Sequence, residues 1–118
     1  MISLSVPTFT TLTTVVWIIA GLMTLFAFVS AWQGQLSLSL VISAAGAAVF
    51  HIPVVGLFLG WIKLTFERQD QLLESSVGKA ISAIGLVFAM TGVLPFVVVF
   101  GFSAIGCLIV YAIRSFLN

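Results

Sequence analysis

Long apolar runs separated by short polar segments dominate the pattern along the chain. The first run extends over residues 9–32 without a charge, and the second, over 36–66, contains only Lys63. The last extends over residues 80–113, again without a charge. Each run exceeds the roughly 20 apolar residues that a bilayer crossing needs. The pattern predicts an all-α integral membrane protein, a small polytopic helical bundle that forms one membrane domain over residues 1–118.

The second run is longer than one straight crossing requires. As a single helix it would extend about 46 Å at about 1.5 Å per residue, whereas a hydrocarbon core is about 30 Å thick. His51 and Pro53 lie in its middle, and proline removes a backbone donor and disfavours helix in the residue before it. A kinked helix, a broken helix and a re-entrant hairpin all remain possible. We favour one kinked or broken crossing over 36–66, because each arm of a hairpin would be too short to span.

The last run is also too long for one straight crossing, and Pro95 divides it. Two crossings, over about 78–94 and 96–115, would give four in total and return Arg114 to the face that carries the other basic residues. One kinked crossing would give three and leave Arg114 on the opposite face. The apolar length and the positive-inside rule both favour four crossings. We therefore expect interruptions near Pro53 and Pro95 and both termini in the cytoplasm.

The segment 67–79 is the only strongly polar part of the chain, and we interpret it as a cytoplasmic loop. It contains or adjoins three of the four basic residues, which the positive-inside rule places on the cytoplasmic side. Ser75 and Ser76 offer an N-cap for the helix that follows. The loop is either a solvated connector or a docking surface, whose charged residues would be Lys63, Glu67, Arg68, Asp70, Glu74 and Lys79.

Composition narrows the class of protein. Hydrophobic residues make up 62% of the chain and charged residues 6%, whereas soluble domains carry about 25% charged residues. Four basic residues and a net charge of +1 give no footprint for nucleic acid. We expect a multi-pass protein of a plasma (inner) membrane, in contact with lipid and with other membrane subunits or copies of itself. No catalytic set is visible in the sequence, so we do not expect an enzyme.

His51 is the residue of greatest interest, because ionisable side chains inside a membrane are costly and often functional. It could relay protons, bind a ligand or coordinate a haem iron, and breaks at Pro53 and Pro95 could expose carbonyls near a site. A haem held by two histidines would need its second ligand from another subunit, since the chain has one histidine. The alternative is a neutral, structural histidine bonded to a neighbouring helix.

Glycines in the apolar runs indicate close helix packing. Gly56 and Gly60 form a GxxxG motif, and Gly85 offers a looser version. The leading hypothesis is a non-catalytic subunit, or a homo-oligomeric structural component, of a larger membrane assembly. One alternative is a small oligomeric channel or transporter with a site at the broken helices around His51. Another is a holin-like or pilin-like protein that assembles with itself.

Overall fold

The structure is a computed structural model that describes residues 2–65 and 71–117. It is an elongated bundle of helices, with extents of 59 × 26 × 24 Å. A pair of short strands lies beside the helices. In chain order the elements are β1 (Ile2–Ser5), α1 (Val6–Trp32), α2 (Leu36–Phe58), β2 (Ile62–Thr65), a single 3-10 turn (Gln71–Glu74), α3 (Ser76–Thr91) and α4 (Leu94–Leu117).

Three of the helices, α1, α2 and α4, are long and apolar enough to cross a membrane. At about 1.5 Å per residue they measure about 40, 34 and 36 Å, against a hydrocarbon core of about 30 Å. The helix α3 is apolar but shorter. The all-α class predicted from the apolar runs is therefore confirmed.

The helix α1 begins three residues before the apolar run and includes Pro7 in its first turn. Proline is tolerated there because the first N–H groups of a helix have no partner within it. The hydroxyls of Thr10 and Thr11 donate to the Pro7 carbonyl, and Thr14 donates to the Thr10 carbonyl. These bonds satisfy the threonine-rich start of the helix in apolar surroundings.

The helix α2 corrects the prediction for the second run. It continues through Pro53 without a break and ends at Phe58, not at Phe66. The chain then turns at Gly60, whose φ of 80° is a left-handed conformation that favours glycine. The residues Ile62–Thr65 form a strand. The sequence alone did not reveal this turn, since the run is apolar on both sides of it.

The strands β1 and β2 pair in parallel, with Ile2 opposite Ile62 and Ser5 opposite Thr65. A further bond joins the Ile2 N–H to the Trp61 carbonyl at 2.9 Å. A two-stranded sheet keeps unpaired groups at both edges, and such edges are not tolerated in contact with lipid hydrocarbon. The sheet therefore fits a position at a membrane surface or shielded by the helices.

The last apolar run is divided into α3 and α4 at Gly92 and Val93, immediately before Pro95. Gly92 has a φ of 69° and ends α3. At the start of α3 the Ser75 hydroxyl accepts a hydrogen bond from the Gly78 N–H at 2.9 Å, so the predicted N-cap is confirmed. The interruption expected near Pro95 is present, and the one expected near Pro53 is not.

The two halves of the last run lie against opposite ends of the bundle. Ile81 of α3 packs with Phe9, near the start of α1. Cys107 of α4 packs with Ala27 and Ala31, near the end of α1. Arg114, near the end of α4, lies beside Gly34 in the turn between α1 and α2. A hairpin would have returned the end of α4 to the start of α3. Instead α4 is antiparallel to α2, with Phe96 beside His51 and Arg114 beside Gly34, and α3 packs at the opposite end of the bundle.

Two clusters of buried side chains hold the bundle together. One is centred on Phe9, Val54 and Ile81, at the end where the strands lie. The other is centred on Ala27, Ala31 and Cys107, at the end where α4 finishes. The first uses large side chains, and the second uses small ones that let the helices approach closely. The region between the two clusters contains His51.

Candidate functional site

His51 lies on the buried face of α2 and is 3% exposed. Because α2 ends at Phe58, His51 lies about 10 Å from that end of the helix, at about 1.5 Å per residue. This position is nearer to one end of the helix than the sequence analysis assumed. His51 Nδ1 is 2.7 Å from the carbonyl oxygen of Ala47, one turn earlier in the same helix. The carbonyl oxygen can only accept, so Nδ1 carries the proton.

The other ring nitrogen of His51 is buried and has no hydrogen-bond partner among the described residues. The rings nearest to it belong to Phe50, with a centroid distance of 5.2 Å, and Phe96, with a centroid distance of 6.1 Å. Both contacts are edge-on, and neither ring can donate a conventional hydrogen bond. A buried polar atom without a partner costs about 1–3 kcal/mol, so this nitrogen needs an explanation.

Two cavities, both partly open to the surface, adjoin His51 near the place where α3 ends and α4 begins. The larger, of about 530 Å³, is formed by residues of both strands and of α2, α3 and α4, and its walls include Trp61, Val93 and Phe96. The smaller, of about 370 Å³, includes Phe50 and Pro95 in its walls. Apart from His51, the side chains that line them are apolar. Both volumes fall within the range of small-molecule sites in proteins.

Pro53 lies inside α2 and leaves the preceding turn of the helix short of donors, since proline has no N–H. Trp17 of α1 contacts this turn, because its indole Nε1 donates to the Phe50 carbonyl at 2.9 Å. The Trp17 and Phe50 rings also stack, with centroids 5.0 Å apart. The proline therefore forms part of a well-packed contact between α1 and α2, and the carbonyl of Phe50 is already occupied.

A polar cluster that the sequence analysis missed joins α2 to α4. The Ser103 hydroxyl donates to the Ser43 hydroxyl at 2.9 Å, and Ser43 Oγ lies 3.4 Å from Cys107 Sγ. All three side chains are buried. Small polar residues in apolar runs signal such helix contacts, but their pairing depends on the tertiary register. Each hydroxyl has a partner, so we assign this cluster to helix packing.

The three glycines predicted to pack helices take three different places. Gly56 is buried in α2, where an added Cβ would lie 2.9 Å from the Ile62 side chain of β2. Gly85 is buried in α3 beneath the ring of Phe58. Gly60 lies in the turn after α2, so Gly56 and Gly60 do not share a helix face and the GxxxG interpretation is wrong. Gly56 and Gly85 make room for a strand and for an aromatic ring.

The charged residues of the proposed docking loop are only partly described. Lys63 of β2, Glu74 in the 3-10 turn and Lys79 in the first turn of α3 are all exposed. Glu67, Arg68 and Asp70 lie outside the described residues. The structure brings none of the described charges to His51.

A haem or metal would need ligands that the described residues do not bring together. No group of three His, Cys, Asp or Glu side chains is close enough to hold a metal ion within residues 2–65 and 71–117. Cys107 belongs to the far cluster, and His51 is the only histidine in the sequence. A haem held by two histidines would therefore require its second histidine from another chain.

No protein-family model, curated protein or solved structure matches this chain. The fold and the site therefore define the class of protein. The chain is an all-α protein with three helices of membrane-spanning length and composition, the features of a multi-pass membrane protein. Its site is a buried histidine between two apolar cavities.

Proposed function

We propose that the chain is a small, non-catalytic protein of a plasma (inner) membrane that binds an apolar ligand between its helices, beside His51. It acts together with other membrane subunits or with further copies of itself. The observation that carries this proposal is that His51, whose Nε2 has no partner among the described residues, lines two apolar cavities. The large majority of buried side-chain polar atoms have a hydrogen-bond partner, so a ring nitrogen without one beside a cavity supports a ligand that supplies it.

The position of the site supports a ligand that arrives from the bilayer. The cavity walls are apolar, so they offer little to an ionic or strongly hydrated solute. The larger cavity is also bounded by Ile2 and Trp61 of the strand end of the bundle. Trp is enriched at the boundary between membrane and water. A lipid-soluble molecule could therefore enter from the adjacent leaflet.

Extraction with a mild detergent, followed by mass spectrometry of the bound small molecules, tests this proposal. We expect the wild type to retain a molecule that is enriched over the bulk lipid extract, and His51→Phe to lose that enrichment. Phe102→Ala is the matched control, because Phe102 is 75% exposed on α4 and lies outside both cavities. Identical extracts from the wild type and His51→Phe would refute the ligand site. The mass of the intact complex in the same detergent shows whether the chain is bound to further copies of itself or to other subunits.

The membrane topology forms part of the proposal. Three traverses of the bilayer are supported because α3 and the end of α4 pack at opposite ends of the bundle. Arg114 would then lie on the face opposite to Lys63 and Lys79. The positive-inside rule then places Lys63 and Lys79 in the cytoplasm and the C-terminal end of α4 outside. This differs from the four crossings that the apolar lengths favoured.

Cysteine labelling in intact cells tests the topology. With Cys107 replaced by Ala, a membrane-impermeant maleimide should label Ser115→Cys from outside and leave Lys79→Cys unlabelled until the membrane is permeabilised. Both native positions are exposed, so failure of labelling would not result from burial in the chain. Protection of both cysteines in intact cells would support the four-crossing arrangement and contradict ours.

A further inference from the structure

We infer that the ligand beside His51 carries a neutral hydroxyl group that donates a hydrogen bond to His51 Nε2. The ligand is then a lipid-soluble alcohol or phenol with an apolar body. This inference rests on the proposed ligand site and specifies its chemistry.

The hydrogen bonding of the imidazole determines whether Nε2 donates to the ligand or accepts from it. Nδ1 is committed as a donor to the Ala47 carbonyl at 2.7 Å. In a neutral ring with its proton on Nδ1, Nε2 has only a lone pair and can only accept. No described side chain supplies a donor to it. A ligand that satisfies Nε2 must therefore bring its own donor.

The cavity walls determine which donor fits. A cationic ammonium group would lose its hydration and find no carboxylate among the lining residues. A ketone, ether or ester would place an acceptor against an acceptor. An amide would bring a carbonyl that also needs a partner in the apolar cavity. A hydroxyl that donates to Nε2 satisfies both its own O–H and the ring nitrogen, and it adds little further polar surface to the cavity.

The aromatic ring of Phe96 is the element that controls access. His51 Nε2 is covered, and Phe96 both contacts the imidazole ring edge-on and lines the larger cavity. Phe96 lies in the first turn of α4, immediately after the break at Gly92 and Val93. We expect a rotation of the Phe96 side chain to open a path from the larger cavity to Nε2. We therefore expect Phe96→Ala to increase the occupancy of a hydroxyl ligand.

Photolabelling with two matched probes tests the inference. The probes are a hexadecanol that carries a diazirine in its chain and the methyl ether of the same molecule. The protein is reconstituted in phosphatidylcholine vesicles, and cross-linked peptides are mapped by mass spectrometry. We expect the alcohol to label the peptides around His51 about fivefold more than the ether, which corresponds to one hydrogen bond of about 1 kcal/mol.

Two variants assign this preference to the imidazole. His51→Phe should reduce the ratio of alcohol to ether to about one, because no acceptor remains. His51→Gln should keep a preference for the alcohol, because its amide oxygen can accept. The comparison of the two probes on the wild type does not depend on whether either variant folds.

The outcomes separate this inference from the proposed function. Equal labelling of the cavity peptides by both probes in the wild type would overturn the hydroxyl assignment and leave the ligand site standing. Labelling spread over the lipid-facing surfaces, with no enrichment at the cavities for either probe, would overturn both. A preference for the alcohol that persists in His51→Phe would also overturn the inference, since another group would then be the acceptor.

Discussion

The hydrogen bond between Ser43 and Ser103 offers a direct test of how α4 is held against α2. In Ser43→Ala the Ser103 hydroxyl loses its acceptor and Cys107 loses a polar neighbour. Hydrogen bonds between membrane helices contribute on average about 0.6 kcal/mol and at most about 1.7 kcal/mol. The Ser103 hydroxyl can also turn back to a carbonyl of its own helix, which limits the loss. We therefore expect Ser43→Ala to lower the free energy of unfolding by about 1 kcal/mol.

A double-mutant cycle isolates the bond itself. Ser43→Ala, Ser103→Ala and the double variant are unfolded reversibly by increasing the fraction of a denaturing detergent in mixed micelles. The coupling energy between the two serines should be about 0.6 kcal/mol. Ser37→Ala is the control, because Ser37 is on the exposed side of the same helix and should change stability by less than about 0.5 kcal/mol. A coupling energy indistinguishable from zero would refute the assignment of this cluster to helix packing.

Two further substitutions probe the packing. Gly85→Ala should be less stable than the control Gly101→Ala by about 1–3 kcal/mol. The added Cβ at position 85 would overlap the ring of Phe58, whereas Gly101 faces open space. Equal stabilities of the two variants would contradict this packing. Thr13 Oγ1 is buried with no partner among the described residues, so in thermal unfolding in detergent Thr13→Val should gain about 1 kcal/mol. Thr11→Val is the contrasting variant and should not gain stability, because the Thr11 hydroxyl is bonded to the Pro7 carbonyl. A loss of stability in Thr13→Val would show that the Thr13 hydroxyl is bonded too.

The helices were predictable from the sequence because each is a long run of apolar residues. Trp32 was expected to end the first helix and does so. The end of α2 was not predictable, because its cause is the pairing of β2 with β1. That contact joins segments about sixty residues apart. The four residues of β2 alternate between apolar and polar side chains, which is a strand pattern, but so short a stretch does not identify its partner strand. Gly60 was interpreted as part of a helix face because no local pattern marked it as a turn residue.

The candidate site was predictable only in part. A lone histidine in an apolar run is conspicuous, and its burial follows from the cost of exposing it to lipid. Its unpartnered Nε2 depends on which residues of α3 and α4 approach it, and this in turn depends on the break at Gly92. The sequence placed that break at Pro95, but it favoured a hairpin because the length of the run and the position of Arg114 both fit one. The direction of α4 is set by contacts near Cys107, which only the tertiary structure reveals.

The parallel pairing of β1 with β2 has a consequence for the order in which the protein is made. Residues Ile2–Ser5 leave the ribosome before their partners, Ile62–Thr65, which follow only after both α1 and α2 have been synthesised. Until then the N–H and C=O groups of β1 have no partner strand and must remain in water or among lipid headgroups. The strand β1 should therefore remain at the membrane surface while α1 and α2 insert, and it should pair only once β2 has been synthesised. A chain cut before Ile62 would be expected to insert these helices and leave its N-terminal strand accessible to protease.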